Sequence, residues 1–84
     1  MRKVLLIVMV GSRLKKALSV QEVLTRYGCL IKIRLGIHDS GKNVCSDAGL
    51  IILELLPQEA RIKSFKKELD ALPGVKTRLV SIAA

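Results

Sequence analysis

The side chains in this chain with chemistry to offer are few. Its thiols are Cys29 and Cys45 and its one imidazole is His38. His38 and Cys45 share a polar stretch with Asp39 and Asp47, so ligands for a soft or borderline divalent ion lie close in sequence. One His and one Cys without a C-x-x-C pair do not close a four-ligand site within one chain. A metal-responsive site on His38 and Cys45 therefore needs a neighbouring subunit. A Cys–His pair is also the minimum for an activated thiol, but no third orienting group or oxyanion loop accompanies it. The chain is read as non-enzymatic, with no catalytic residue and no cofactor. Cys29 reads as a small, core-facing apolar residue.

Anion chemistry has one opening. Gly11-Ser12 stands between an apolar run and a helical pattern. Free N–H groups at a helix start suit an anion, and Ser12 equally suits plain N-capping. Gly41-Lys42 lacks the glycine spacing of a P-loop.

The charge is positive and uneven. Residues 1–36 carry eight basic groups against Glu22 alone, whereas residues 37–84 carry seven basic and six acidic groups, so nearly all of the net +8 lies in the first half. Such an excess attracts nucleic acid, anionic surfaces or acidic metabolites, or simply keeps a surface solvated. Lys32, Arg34, Lys76 and Arg78 are the candidates for a basic nucleic-acid surface on the two edge strands. Single-strand binders of the expected fold stack bases on aromatics of the central strands. The only aromatics here are Tyr27 and Phe65, neither on a strand, so direct nucleic-acid binding is not expected.

Elements of regular structure must position these groups. At 84 residues the chain makes one small domain, residues 1–84, with a modest core. Two cysteines are too few for a secreted disulfide scaffold, and an apolar share of 50% excludes a disordered basic tail. The opening apolar run is too short for a membrane span and is followed at once by Arg13, Lys15 and Lys16, with no cleavage pattern of a signal peptide. A cytoplasmic setting with reduced thiols and no membrane partner is expected.

Residues 4–10 and 49–56 are continuous apolar runs, which read as strands buried on both faces. Residues 13–27 carry a helical stripe closed by Gly28 as the C′ glycine, and residues 58–72 place Ile62, Phe65, Leu69 and Leu72 at helical spacing before Pro73-Gly74. Residues 29–37 alternate, with Cys29, Ile31, Ile33, Leu35 and Ile37 on one side and Lys32 and Arg34 on the other. Residues 38–48 read as the longest loop, and residues 75–82 as the last strand.

The order β-α-β-β-α-β with right-handed crossovers gives an α+β ferredoxin-like plait: a four-stranded antiparallel sheet, order 4-1-3-2, with both helices on one face. Strands 1 and 3 are then central, and one apolar set, either Leu5, Ile7 and Met9 or Val4, Leu6 and Val8, faces away from the helices beside Leu50, Ile52 and Glu54. Monomers seldom expose such a face. A homo-oligomer, dimer or tetramer, is expected.

With this pattern in place the sequence resembles small ACT-like regulatory proteins, in particular the iron-only hydrogenase system regulators. The resemblance is carried by Tyr27-Gly28, Arg34-x-Gly36-Ile37, the apolar strand at 50–56 and Leu72-Pro73-Gly74-Val75. The plait is also similar to the C-terminal domain of nickel-responsive repressors, which bind metal through three His and one Cys. Here the strand-2 positions hold Lys32 and Arg34, and there is no ribbon-helix-helix DNA-reading segment. The resemblance implies an oligomeric regulatory or sensor domain taking a small-molecule effector at the loop after strand 1 and between sheets: Gly11, Ser12, Arg34, Gly36 and His38.

Overall fold

The first apolar run becomes β1 (Arg2–Val10), and α1 (Arg13–Arg26) follows it. A single 3-10 turn (Gly28–Leu30) then leads into β2 (Ile31–Ser40), β3 (Cys45–Leu55), α2 (Glu59–Asp70) and β4 (Val75–Ala83). The structure, a computed structural model, describes residues 1–11, 13–40 and 45–83, with the backbone alone for residues 13–18, 37–40 and 45–48.

The four strands form one sheet in the order β2-β3-β1-β4, every neighbour antiparallel. This is the ferredoxin-like plait expected from the sequence, with the two most apolar strands at its centre. Alternation decides the faces. Val4, Leu6, Val8 and Val10 of β1 and Leu53 and Leu55 of β3 are buried under the helices. They meet Val20, Val23 and Leu24 of α1 and Ile62, Phe65 and Leu69 of α2 in one apolar cluster. The α2 positions recur at three and four residues, so a single stripe of that helix enters the core.

The two helices are joined across their outer edge. The Tyr27 ring stacks on Phe65 with centroids 4.8 Å apart. Its hydroxyl donates to the Glu68 carboxylate, which also accepts from Arg26. This hydrogen bond raises the Tyr27 pKa above its ordinary 10.0 and, with Arg26, lowers that of Glu68. The contribution of Tyr27 is therefore complete below pH 10 and fades as pH rises through the raised value.

Gly74 closes the turn between α2 and β4 with φ 77, a left-handed conformation in which an L side chain is strained. Its carbonyl accepts from Gly11 N–H at 2.8 Å, tying the end of β1 to this turn. A Cβ on Gly11 would stand 3.3 Å from that same oxygen. Gly74→Ala is expected to lower stability by about 1 kcal/mol, read from the urea midpoint at unchanged slope.

Four expectations are corrected by the structure. Gly28 is not a left-handed C′ residue, since among the described residues Gly74 alone has positive φ. α1 stops at Arg26, and Gly28 opens the 3-10 turn instead. That turn buries Leu30, whose carbonyl accepts from Leu56 N–H at 2.9 Å. It also takes Cys29 out of the strand and leaves it exposed, so Cys29 is not a core residue. Residues 38–48 are not one long loop, because β2 runs on to Ser40 and pairs with β3 from Cys45.

The fourth correction moves a whole row of side chains. A register shift falls between Ile31 and Ile33: Ile31 opposes Leu55, while Ile33 opposes Glu54. Lys32 is the extra residue of a β-bulge, which puts two successive side chains on one face. Ile31 therefore packs toward the core, while Lys32, Ile33 and Leu35 share the side of Glu54 and Ile52. Simple alternation places Ile31 with Ile33 and Leu35, and the bulge separates them.

Candidate functional site

The sheet face turned away from the helices is the most distinctive surface of the molecule. Its composition follows from the register. One row across the strands reads Ile33, Glu54, Leu5, Val80, and the next reads Leu35, Ile52, Ile7, Arg78. Met9 opposes Leu50 on one side and Lys76 on the other, and Lys3 opposes Ile82. Leu5, Ile7 and Met9 are thus the outward set of β1. Met9, Ile33, Leu35 and Ile82 keep between 52% and 58% of their surface exposed. No element of this chain among the described residues lies over the face. Isolated exposed apolar residues are ordinary, but a contiguous set on one face marks an interaction surface.

The polar residues of this face are organised. Glu54 lies near its middle with a side chain only 15% exposed, and accepts from Lys3 Nζ at 3.3 Å with Lys32 Nζ at 3.4 Å. Lys32, next to the core-facing Ile31, supplies the second ammonium, and the bulge brings Ile33 to the same side. Lys3, foremost, and Lys32 hold the Glu54 carboxyl below its ordinary 4.5 against the opposing effect of burial. A depressed carboxylate pKa means stability that is present above the unfolded value and lost as pH falls through the folded one. The urea midpoint is expected to fall on acidification below the ordinary carboxylate range, and Glu54→Gln to flatten part of that slope.

The residues assigned to effector binding are brought together only in part. Val10, Gly49 and His38 form one row across β1, β3 and β2, so Gly11 and His38 lie at the same end of the sheet. Gly36 opposes Ile51 and Arg34 opposes Leu53, which carries Arg34 about 13 Å further along β2. Gly11 spends its N–H on Gly74. Ser12 lies outside the described residues. Of His38 and Cys45 only the backbone is described: Cys45 opposes Ser40, two positions beyond His38 on the neighbouring strand. Among the described residues no group of three His, Cys, Asp or Glu side chains could hold a metal ion.

The basic edge-strand surface does not form one patch. β2 and β4 are opposite edges, separated by two strands. Arg34 shares its row with Leu53 on the helix side, whereas Lys32, Lys76 and Arg78 lie on the open side. Among the described residues no helix is long and apolar enough to cross a membrane.

The chain matches no protein-family model, and no curated protein matches it. Solved structures do. An uncharacterised protein of Thermotoga maritima, TM1266, superposes with a TM-score of 0.82 at 21% identity, covering 99% of this chain and 100% of that one. A candidate PII-like signalling protein of Thermus thermophilus gives 0.59 at 20% identity over 98% and 87%. CPII of Thiomonas intermedia, a nitrogen regulatory PII-like protein, gives 0.52 at 21% over 96% and 88% in its apo form. At these identities the likeness establishes the shared plait and nothing finer.

Proposed function

We propose that this chain is a non-catalytic regulatory or sensor domain that works as a homo-oligomer through its open sheet face and responds to a small effector. The observation that carries this reading is the uncovered apolar face on the central strands, with a three-charge cluster set into it. A second copy of the same face is the partner at hand, and a two-fold arrangement covers both copies at once. Burying the outward apolar side chains of each copy, among them Leu5, Ile7, Met9, Leu50 and Ile52, gives an apolar centre, with the Lys3–Glu54–Lys32 cluster beside it and Lys76 and Arg78 along the β4 margin.

The regulatory part of the reading draws on the company the fold keeps. CPII has been solved bound to ADP, AMP and acetate, and that structure gives a TM-score of 0.53 at 16% identity. The resemblance to iron-only hydrogenase system regulators points the same way. A thin inventory of catalytic groups and a basic first half fit a domain that binds an acidic metabolite without transforming it. Sedimentation velocity over a range of micromolar concentrations tests the assembly. A dimer or tetramer is expected, and a monomer throughout would defeat the reading.

A further inference from the structure

A concavity lies on the helix side, at the opposite sheet surface from the proposed assembly face. β4 is an edge strand, and the first two turns of α2 leave its helix-facing side partly uncovered. The result is a groove of about 640 Å³. Its floor is Val4, Ile62 and Leu79. Leu79 opposes the fully buried Leu6, yet is 41% exposed itself. The rim carries Arg2, Lys63 and Lys66 with the Glu59 carboxylate among them, so that positive charge is in excess. Arg2 is paired with Glu59 at 3.0 Å and Lys66 with Asp70 at 2.7 Å. Lys63 has no acidic partner among the described residues.

The dimensions and charge select the occupant. The α2 wall runs from Glu59 to Lys66, about 10 Å of helix. An extended peptide would place only about three residues there, too few for specific capture. A small molecule with an apolar body fits the floor, and an anionic head answers Lys63, the rim cation without an acidic partner among the described residues. We infer that the α2–β4 groove binds a small amphipathic anion, a carboxylate or phosphate monoester carrying an apolar or aromatic body. This deepens the regulatory reading above and rests on it for calling the ligand an effector.

Leu79 and Ser81 face the groove while Val80 and Ile82 of the same strand face the open side.

The test is a titration of the full-length isotope-labelled protein, followed by amide NMR, with two probes: octanoate and phenyl phosphate. Saturable shifts confined to residues 2–4, 59–66 and 79–81 are expected for at least one, and which probe saturates identifies the head group. Lys63→Glu on the exposed rim and Leu79→Glu on the floor should each weaken binding about tenfold or more. Shifts centred on Leu5, Ile7 and Ile52 instead, silence with both probes, or affinity unchanged in both variants would overturn the site. Sedimentation of the same samples separates the two readings. Groove binding by a monomer leaves the site and removes the assembly, whereas an oligomer with a silent groove does the reverse.

Discussion

Ile7→Glu is expected to turn the oligomer into a monomer that still folds. Ile7 lies at the centre of the open face, opposite Ile52 on one side and Arg78 on the other. In a single copy the new carboxylate has water above it and the Arg78 guanidinium beside it, so the fold should tolerate it. In a face-to-face pair the same carboxylate enters an apolar centre with no room for hydration. Drying that carboxylate and the Arg78 guanidinium beside it costs several kcal/mol that their pairing only partly returns, so a loss of affinity of about a hundredfold is expected. Leu35→Lys, nearer the β2 edge and already half exposed, should weaken assembly less. Sedimentation velocity gives the mass and circular dichroism the fold. An Ile7→Glu protein that remains fully oligomeric would place the interface elsewhere.

The second large effect is in the core. Phe65 is fully buried, is the largest side chain of the cluster and is stacked on Tyr27. Truncating such a ring to alanine costs about 3–5 kcal/mol through lost transfer energy and the cavity left behind. A domain of this length has a total stability of roughly 4–13 kcal/mol. Phe65→Ala should therefore consume a large part of it and release the Tyr27–Glu68 clamp between the helices as well. Urea unfolding at fixed protein concentration reads this directly, the concentration being held because assembly itself adds to apparent stability. A midpoint close to that of the wild type would mean that the two helices are held by other contacts.

Much of this architecture is legible in the sequence because burial on two faces leaves a mark there. The runs at 4–10 and 49–56 fit only central strands, and Leu5, Ile7, Met9, Leu50 and Ile52 are already candidates for an outward face. Pro73-Gly74 announces a real left-handed turn. The errors share a cause: local patterns do not record register. Cys29 continues the alternation of β2 letter by letter, yet the chain spends it on a 3-10 turn that buries Leu30. The bulge at Lys32 leaves no mark in residue type, and it brings Ile33 and Leu35 to the open side, where Lys32 stands beside Glu54. Gly28 looks like a C′ glycine because it follows a helical stripe, but its backbone has no need of positive φ. The groove has no sequence signal at all, since it arises from where α2 rests relative to an edge strand. Leu79 reads as an ordinary strand residue, and Lys63 as one of many solvated lysines.

If two copies meet through the open sheet face, as proposed, contacts that cross between the copies are the sharpest sign of it. Isotope-filtered NMR on a mixture of labelled and unlabelled protein, observed at the methyl groups, detects only contacts that cross between molecules. Intermolecular contacts among Leu5, Ile7, Ile33, Leu35 and Ile52 are the predicted result. Intermolecular contacts confined to Leu79 and α2, with none at the open face, would contradict it.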